Sequence, residues 1–176
     1  MEQMSLFDYF EEQSTTTTTV KNQTTVHKEP FSEGLTADQK AVFDKMVAGE
    51  NLFLTGNAGT GKSFVLNRFS EYCDATRTTL MKCAPTGIAS QNIGGATLHR
   101  QFKAPIGVIT NSPSMPPPEL IKTDVLLIDE ISMARIDLFD WVMKDVDMAN
   151  EQRRTEGRNL SNSYFVETSF SCPLSW

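Results

Sequence analysis

Gly56-Asn57-Ala58-Gly59-Thr60-Gly61-Lys62-Ser63 lies between a short apolar stretch, Leu52-Phe53-Leu54-Thr55, and a helical pattern over residues 62–72. It fits G-x-x-x-x-G-K-[ST] at every fixed position. The glycines let the backbone curl until its N–H groups point inward at phosphate oxygens. A helix starting near Lys62 adds the positive end of its dipole at the same spot. All eight residues are therefore expected to wrap a nucleotide triphosphate. Lys62 reaches the β- and γ-phosphates, and the Ser63 hydroxyl becomes a ligand for Mg²⁺. The competing reading, a ligand-free glycine turn, fits poorly with a loop set between strand and helix.

Working outward, Thr36 can cap a helix over Ala37–Ala48, with Val42, Phe43, Met46 and Val47 on one face and Gly49 as its stop. Residues 78–83 read as a second strand, and Pro85-Thr86-Gly87 as the turn into a short helix. Residues 111–118 form a proline-rich loop. Val125-Leu126-Leu127-Ile128 is a continuous apolar run, as expected of a strand buried on both faces of a parallel sheet. Asp129 and Glu130 follow it directly. Downstream of a phosphate loop, Asp129 is expected to hold Mg²⁺ and Glu130 to polarise the water that attacks the γ-phosphate. The expected catalytic pair is Lys62 and Glu130. Alternating strands and helices predict an α/β fold, a P-loop NTPase with a parallel sheet and flanking helices.

At 176 residues the chain has room for one domain with a hydrophobic core. Its 16 basic and 22 acidic residues give a net charge of −6, which argues against nucleic-acid binding by bulk charge but allows a local basic groove. Cys73, Cys83 and Cys172 lack metal-ligand spacing and read as reduced thiols. The N-terminus shows no signal peptide and no apolar run reaches membrane-spanning length, so a soluble, cytoplasmic protein is expected. Residues 1–33 combine an aromatic cluster, Leu6-Phe7-Asp8-Tyr9-Phe10, with the Thr15–Thr19 tract and read as a disordered tail.

Four blocks, in order, resemble the superfamily-one DNA helicases of the RecD and Pif type over about residues 34–158. Gly34-Leu35-Thr36-Ala37-Asp38-Gln39 is similar to the family's Q-motif, which implies that Gln39 contacts adenine. The second block is the P-loop. Ala84-Pro85-Thr86-Gly87-Ile88-Ala89-Ser90-Gln91-Asn92-Ile93-Gly94-Gly95-Ala96-Thr97-Leu98-His99 resembles motif Ia, which lines a path for single-stranded DNA. Leu127-Ile128-Asp129-Glu130-Ile131-Ser132-Met133 is nearly a signature of the group. The resemblance implies a RecA-like domain, ATP and Mg²⁺ as cofactors, and a place in DNA replication, repair or recombination. Pro85, Thr86, Gly87, Ser90, Thr97 and His99 are the expected DNA contacts, with backbone N–H groups and hydroxyls at Thr86, Ser90 and Thr97 on phosphates. His99 reads equally as a satisfied interior histidine. Arg100, Phe102 and Lys103 offer either charge and stacking or an ordinary basic loop.

Family members continue into a motif resembling GDxxQLPPV and a second RecA-like domain that supplies an arginine finger. In their place stands Asn159-Leu160-Ser161 and a Ser-rich stretch without helical or strand period. Read one base out of register, the codons for LSNSYFVETSFSCPLSW can encode PIQLILCGDFFQLPPVM. A frameshift after Arg158 is therefore expected to make residues 159–176 aberrant and the sheet incomplete at its C-terminal side. A naturally short tail is the alternative. At the other end, Gln3-Met4-Ser5-Leu6-Phe7 resembles the peptide with which replication proteins bind the sliding clamp; Gln3, Leu6 and Phe7 are the expected contacts. An amphipathic turn folded onto the domain is the competing reading. The leading function is thus the N-terminal motor part of a DNA helicase, with weak ATP and DNA binding and no unwinding. A non-catalytic nucleotide-binding adaptor for the clamp stands second and a helicase-loader ATPase last.

Overall fold

The computed structural model describes residues 29–57 and 59–159 and the backbone of a strand at 162–166. Gln3, Leu6, Phe7 and Ala58 lie outside the described residues, as do residues 167–176. The elements run α1 Glu29–Ser32, α2 Ala37–Ala48, β1 Leu52–Leu54, α3 Lys62–Thr76, β2 Leu80–Ala84, α4 Gly87–Asn92, β3 Ala96–Thr97 and α5 Leu98–Gln101. They continue with α6 Pro118–Lys122, β4 Val125–Ile128, a 3-10 turn Ile131–Met133, α7 Ile136–Thr155 and β5 Asn162–Val166. The strands form one parallel sheet in the order β1-β5-β4-β2-β3.

Helix α2 has the bounds its sequence dictates. The Thr36 hydroxyl accepts from Gln39 N and the Gln39 side chain accepts from Thr36 N, a reciprocal capping box. At its other end Gly49 adopts φ +77, a left-handed conformation that glycine enters without a Cβ clash. All four residues of β4 are buried, as a continuous apolar run between two layers of helix requires.

The two faces of the sheet carry separate cores. Against one face, Leu127 and Val125 pack with Phe43 and Met46 of α2 and Val65, Phe69 and Cys73 of α3. Against the other, Leu126, Ile128, Met81 and Cys83 pack with Leu138, Trp141, Val142 and Val146 of α7 and with Phe102. Odd and even positions of β4 thus feed opposite cores, which is the period-two alternation of a strand.

Two sequence expectations are corrected here. The tail was expected to run through residue 33, but α1 is helical because Phe31 packs edge-on against Tyr72 at 5.7 Å. Residues 159–176 were expected to lack strand character, yet Asn162–Val166 pairs with β1 and β4 on either side. Tyr164, Phe165 and Val166 are strand-favouring residues, and two neighbouring strands offer them backbone hydrogen bonds.

Candidate active site

The phosphate loop leaves β1 and turns into α3 through Gly59 and Gly61, at φ +81 and +82. Both are left-handed positions, and Gly61 is also the N-cap of α3, with no side chain capping the helix. The Lys62 ammonium is buried and folds back over the loop. It donates to Gly56 O, to Asn57 O at 2.9 Å, and weakly to Thr60 Oγ1 at 3.5 Å. The loop carbonyls therefore hold the cation at the place where phosphate oxygens would compete for it. Ser63 lies exposed on the first turn of α3.

Asp129 sits one residue beyond β4, with its N–H donating to Cys83 O at 2.9 Å, so the ladder fixes its backbone. Its side chain is 7% exposed. Burial pushes its carboxyl above the ordinary value, while the Glu130 N–H and the Lys62 charge pull the other way. The Glu130 N–H donates to Asp129 Oδ1 at 2.9 Å. Glu130 itself adopts φ +51, a conformation that costs a non-glycine residue about 1 kcal/mol or more and clusters at functional sites. That turn separates the two acids: Asp129 is buried at the end of β4, and Glu130 is half-buried at the turn. A hydroxyl and a carboxylate are hard oxygen donors of the type Mg²⁺ takes alongside phosphates.

Gln39 is joined to this site by backbone hydrogen bonds. Its Oε1 accepts from Thr36 N at 3.0 Å and its Nε2 donates to Thr60 O at 3.1 Å. Both ends of the amide thus bind backbone, one capping α2 and one bracing the phosphate loop. A Cβ on Gly61 would collide with the same Nε2, so the glycine is also what lets the brace approach.

The motif Ia residues are placed by caps. Thr86 caps α4 by accepting from Ala89 N at 3.2 Å, and Thr97 caps α5 by accepting from Arg100 N at 3.3 Å. Pro85 and His99 are half-buried and Gly87 is exposed. Ser90 is a correction: it is 5% exposed, its hydroxyl donates to Gly87 O and its N–H to Thr86 O, so neither donor faces outward. Phe102 is likewise withdrawn from stacking, 2% exposed in the core with its carbonyl accepting from Trp141 Nε1. Arg100 and Lys103 are exposed. A cavity of about 430 Å³ lies away from the phosphate loop, between Trp141 and the proline-rich loop.

A family model described as PIF1-like helicase matches residues 34–160. The chain belongs to the PIF1-like helicase family. It is 37% identical over 130 residues to the ATP-dependent DNA helicase PIF1 of Homo sapiens, covering 70% of this chain and 20% of that protein. It is 34% identical over 117 residues to the Pif1 helicase of a Psychrobacter strain, covering 60% of this chain and 18% of that protein. Among solved structures, the Bacteroides Pif1 helicase in complex with ADP-AlF3 and ssDNA matches with a TM-score of 0.61 at 28% identity, over 81% of this chain and 34% of that one. An unliganded Bacteroides Pif1 matches with a TM-score of 0.59 at 29% identity, over 81% of this chain and 33% of that one. The PIF1-like chain thus has the RecA-like P-loop fold and spans about a fifth of the curated relatives it matches.

Sequence reasoning missed α7 and its charged residues. Asp145 is fully buried, and neither carboxylate oxygen has a hydrogen-bond partner among the described residues. Arg153 is 1% exposed and donates to Asn159 O, Ile121 O, Thr123 O and Asp124 Oδ1, joining the end of α7 to the start of β4. The apolar period Leu138, Val142, Val146, Ala149 could have revealed the helix; nothing in the sequence marks which charges it buries.

Proposed function

We propose that this PIF1-like chain carries one wall of the ATP site, and part of the single-stranded DNA track, of an ATP-dependent DNA helicase. The observation that carries the reading is the burial of both Lys62 on the phosphate loop and Asp129 at the end of β4. Lys62 exchanges its loop carbonyls for β- and γ-phosphate oxygens, and Gln39 steadies the loop through Thr60. Ser63 and Asp129 would hold Mg²⁺, which neutralises charge on the phosphate oxygens when bound. Glu130 accepts a proton from the attacking water. Thr86, Gly87, Thr97 and His99, with Arg100 and Lys103 beyond them, face the strand by its phosphates, so contact is independent of base sequence.

In relatives of the RecD and Pif type the second wall and its arginine come from a further domain. Removing such an arginine costs on the order of 10³–10⁵ in rate in P-loop enzymes. The test is MgATP binding by calorimetry, followed by phosphate release with and without oligothymidylate. Binding that Lys62→Ala abolishes, with slow DNA-stimulated release that Glu130→Gln removes, is the expected result. MgATP binding without any DNA effect would favour the adaptor reading instead. The sliding-clamp reading of Gln3, Leu6 and Phe7 is supported by sequence alone; unchanged clamp binding after deletion of residues 1–10 would remove it.

A further inference from the structure

The proline-rich loop and the segment before it are pinned to one stripe of α7. The Asp137 carboxylate accepts from Ile109 N at 2.8 Å, and Lys144 donates to Ser112 Oγ at 3.1 Å. Residues 137, 141 and 144 follow at helical spacing on a single face, so Trp141 sits between the two pins. Past the second pin, the chain encloses with Trp141 and Phe102 the cavity of about 430 Å³. That volume is within the range of ligand clefts, about 300–1,000 Å³. Trp141, Phe102 and the prolines supply apolar wall, and Met115 is 73% exposed. Two lysines stand at this place. Lys144 is already paired with Asp140 at 2.7 Å, whereas Lys103, exposed on the cavity wall, joins no ion pair among the described residues. The chemistry suits an aromatic ligand that carries negative charge.

The chain itself contains such a ligand. Leu6-Phe7-Asp8-Tyr9-Phe10 is flanked by Glu2, Glu11 and Glu12, and no Lys or Arg precedes Lys21. We propose that the cavity between Trp141 and the proline-rich loop is the docking site of this N-terminal segment. Its rings pack on Trp141 and the prolines, and its carboxylates face Lys103. The tether is long enough. Residues 11–28 span about 60 Å when extended, and about 25 Å as a coil, against a radius of gyration of about 16 Å for a domain of this length. Because α1 packs on the α3 side of the sheet, the tether rounds the sheet edge. A smaller cavity beside Tyr72 lies nearer to α1, but its walls hold Asp124 and no cation, so the acidic segment favours the Lys103 side. Tethering sets an effective concentration on the order of 1 mM, so a weak peptide contact suffices. Leu6 and Phe7 cannot fill this cavity and a sliding clamp at once, so docking withholds the segment until a partner takes it.

The Trp141 indole N–H, held on Phe102 O at 3.1 Å, reports on the cavity. In nitrogen-15 spectra of the full chain, Trp176→Phe leaves it as the only indole signal. Replacing Phe7, Tyr9 and Phe10 together by Ala alters no residue of the described fold. It is expected to move the Trp141 signal, and a peptide of residues 1–13 added to that variant is expected to move it back. Adding Lys103→Glu to the same variant should weaken the peptide by about tenfold or more, since a like charge then faces its carboxylates. A Trp141 signal that is the same with and without the three aromatic rings means the segment is not docked there, and overturns the proposal. So does a shifted signal that saturating peptide fails to restore. Peptide affinity unchanged by Lys103→Glu would place the segment at another surface, which overturns it as well.

Discussion

Replacing Arg153 with methionine keeps an unbranched stem of similar reach and removes the guanidinium. Three carbonyl groups, from Ile121, Thr123 and Asn159, then lose their donor, and the Asp124 carboxylate loses its cation. Removing one partner of a buried ion pair typically costs about 3–5 kcal/mol. Here the carboxylate is 43% exposed and keeps a second donor in Thr79 N at 2.9 Å, so water and that N–H absorb part of the loss. The carbonyls are less protected, at about 1 kcal/mol or more for each left unsatisfied. The sum is about 3 kcal/mol, a large fraction of the 5–15 kcal/mol typical of a domain. In urea unfolding followed by circular dichroism, with m about 2 kcal/mol/M, the midpoint should fall by roughly 1.5 M. Arg154→Met is the control: its pairing with Glu151 is on the surface, at 60% and 67% exposure, and should matter by less than about 0.5 kcal/mol. If Arg153→Met unfolds within that same margin of wild type, the network does not anchor β4.

Burial raises the Asp145 carboxyl from the ordinary 3.8 to about 6. A raised acid favours its protonated form in the folded state, so the stabilisation is complete below 3.8 and is lost as pH climbs past about 6. Asp145→Asn should melt at a higher temperature than wild type above that window, and the difference should shrink as the pH is lowered through it; a pH-independent difference would contradict the assignment. Gly95→Ala sets a Cβ onto the backbone of β2, overlapping Lys82 O and lying 2.7 Å from Lys82 C. It should cost about 1–3 kcal/mol, seen as a lower melting temperature. Gln39→Ala removes half of the capping box and the Thr60 brace, with a stability loss of about 1 kcal/mol. MgATP affinity should fall further than that loss of fold explains, and an unchanged affinity would show that the brace is not needed.

The site was legible where backbone geometry alone dictates residue type. Gly59, Gly61 and Lys62 can be read because a loop wrapped on phosphate requires those conformations and that charge, and Val125–Ile128 because a strand buried on both faces tolerates no polar residue. What failed were statements about where side chains spend their hydrogen bonds. Ser90 was expected to face a ligand, and both its hydroxyl and its N–H are bound to nearby backbone, a choice settled by a few ångströms of approach. The inward aim of Asp145 and Arg153 depends on how α7 rolls against the sheet. The strand at Asn162–Val166 was illegible for another reason: its pairing is supplied by β1 and β4, which are distant in sequence.

That last strand also sets an order of events in time. Among the described residues, β1 touches the sheet only through β5, with Leu52 in register with Tyr164. A growing chain completes β2, β3 and β4, and most of α7, before any partner for β1 exists. During synthesis, the strand that launches the phosphate loop must wait for residues 162–166 to emerge before it pairs with β5. Until then the loop hangs from a strand without its β5 neighbour, and the phosphate loop matures later than the β2-β3-β4 part of the sheet.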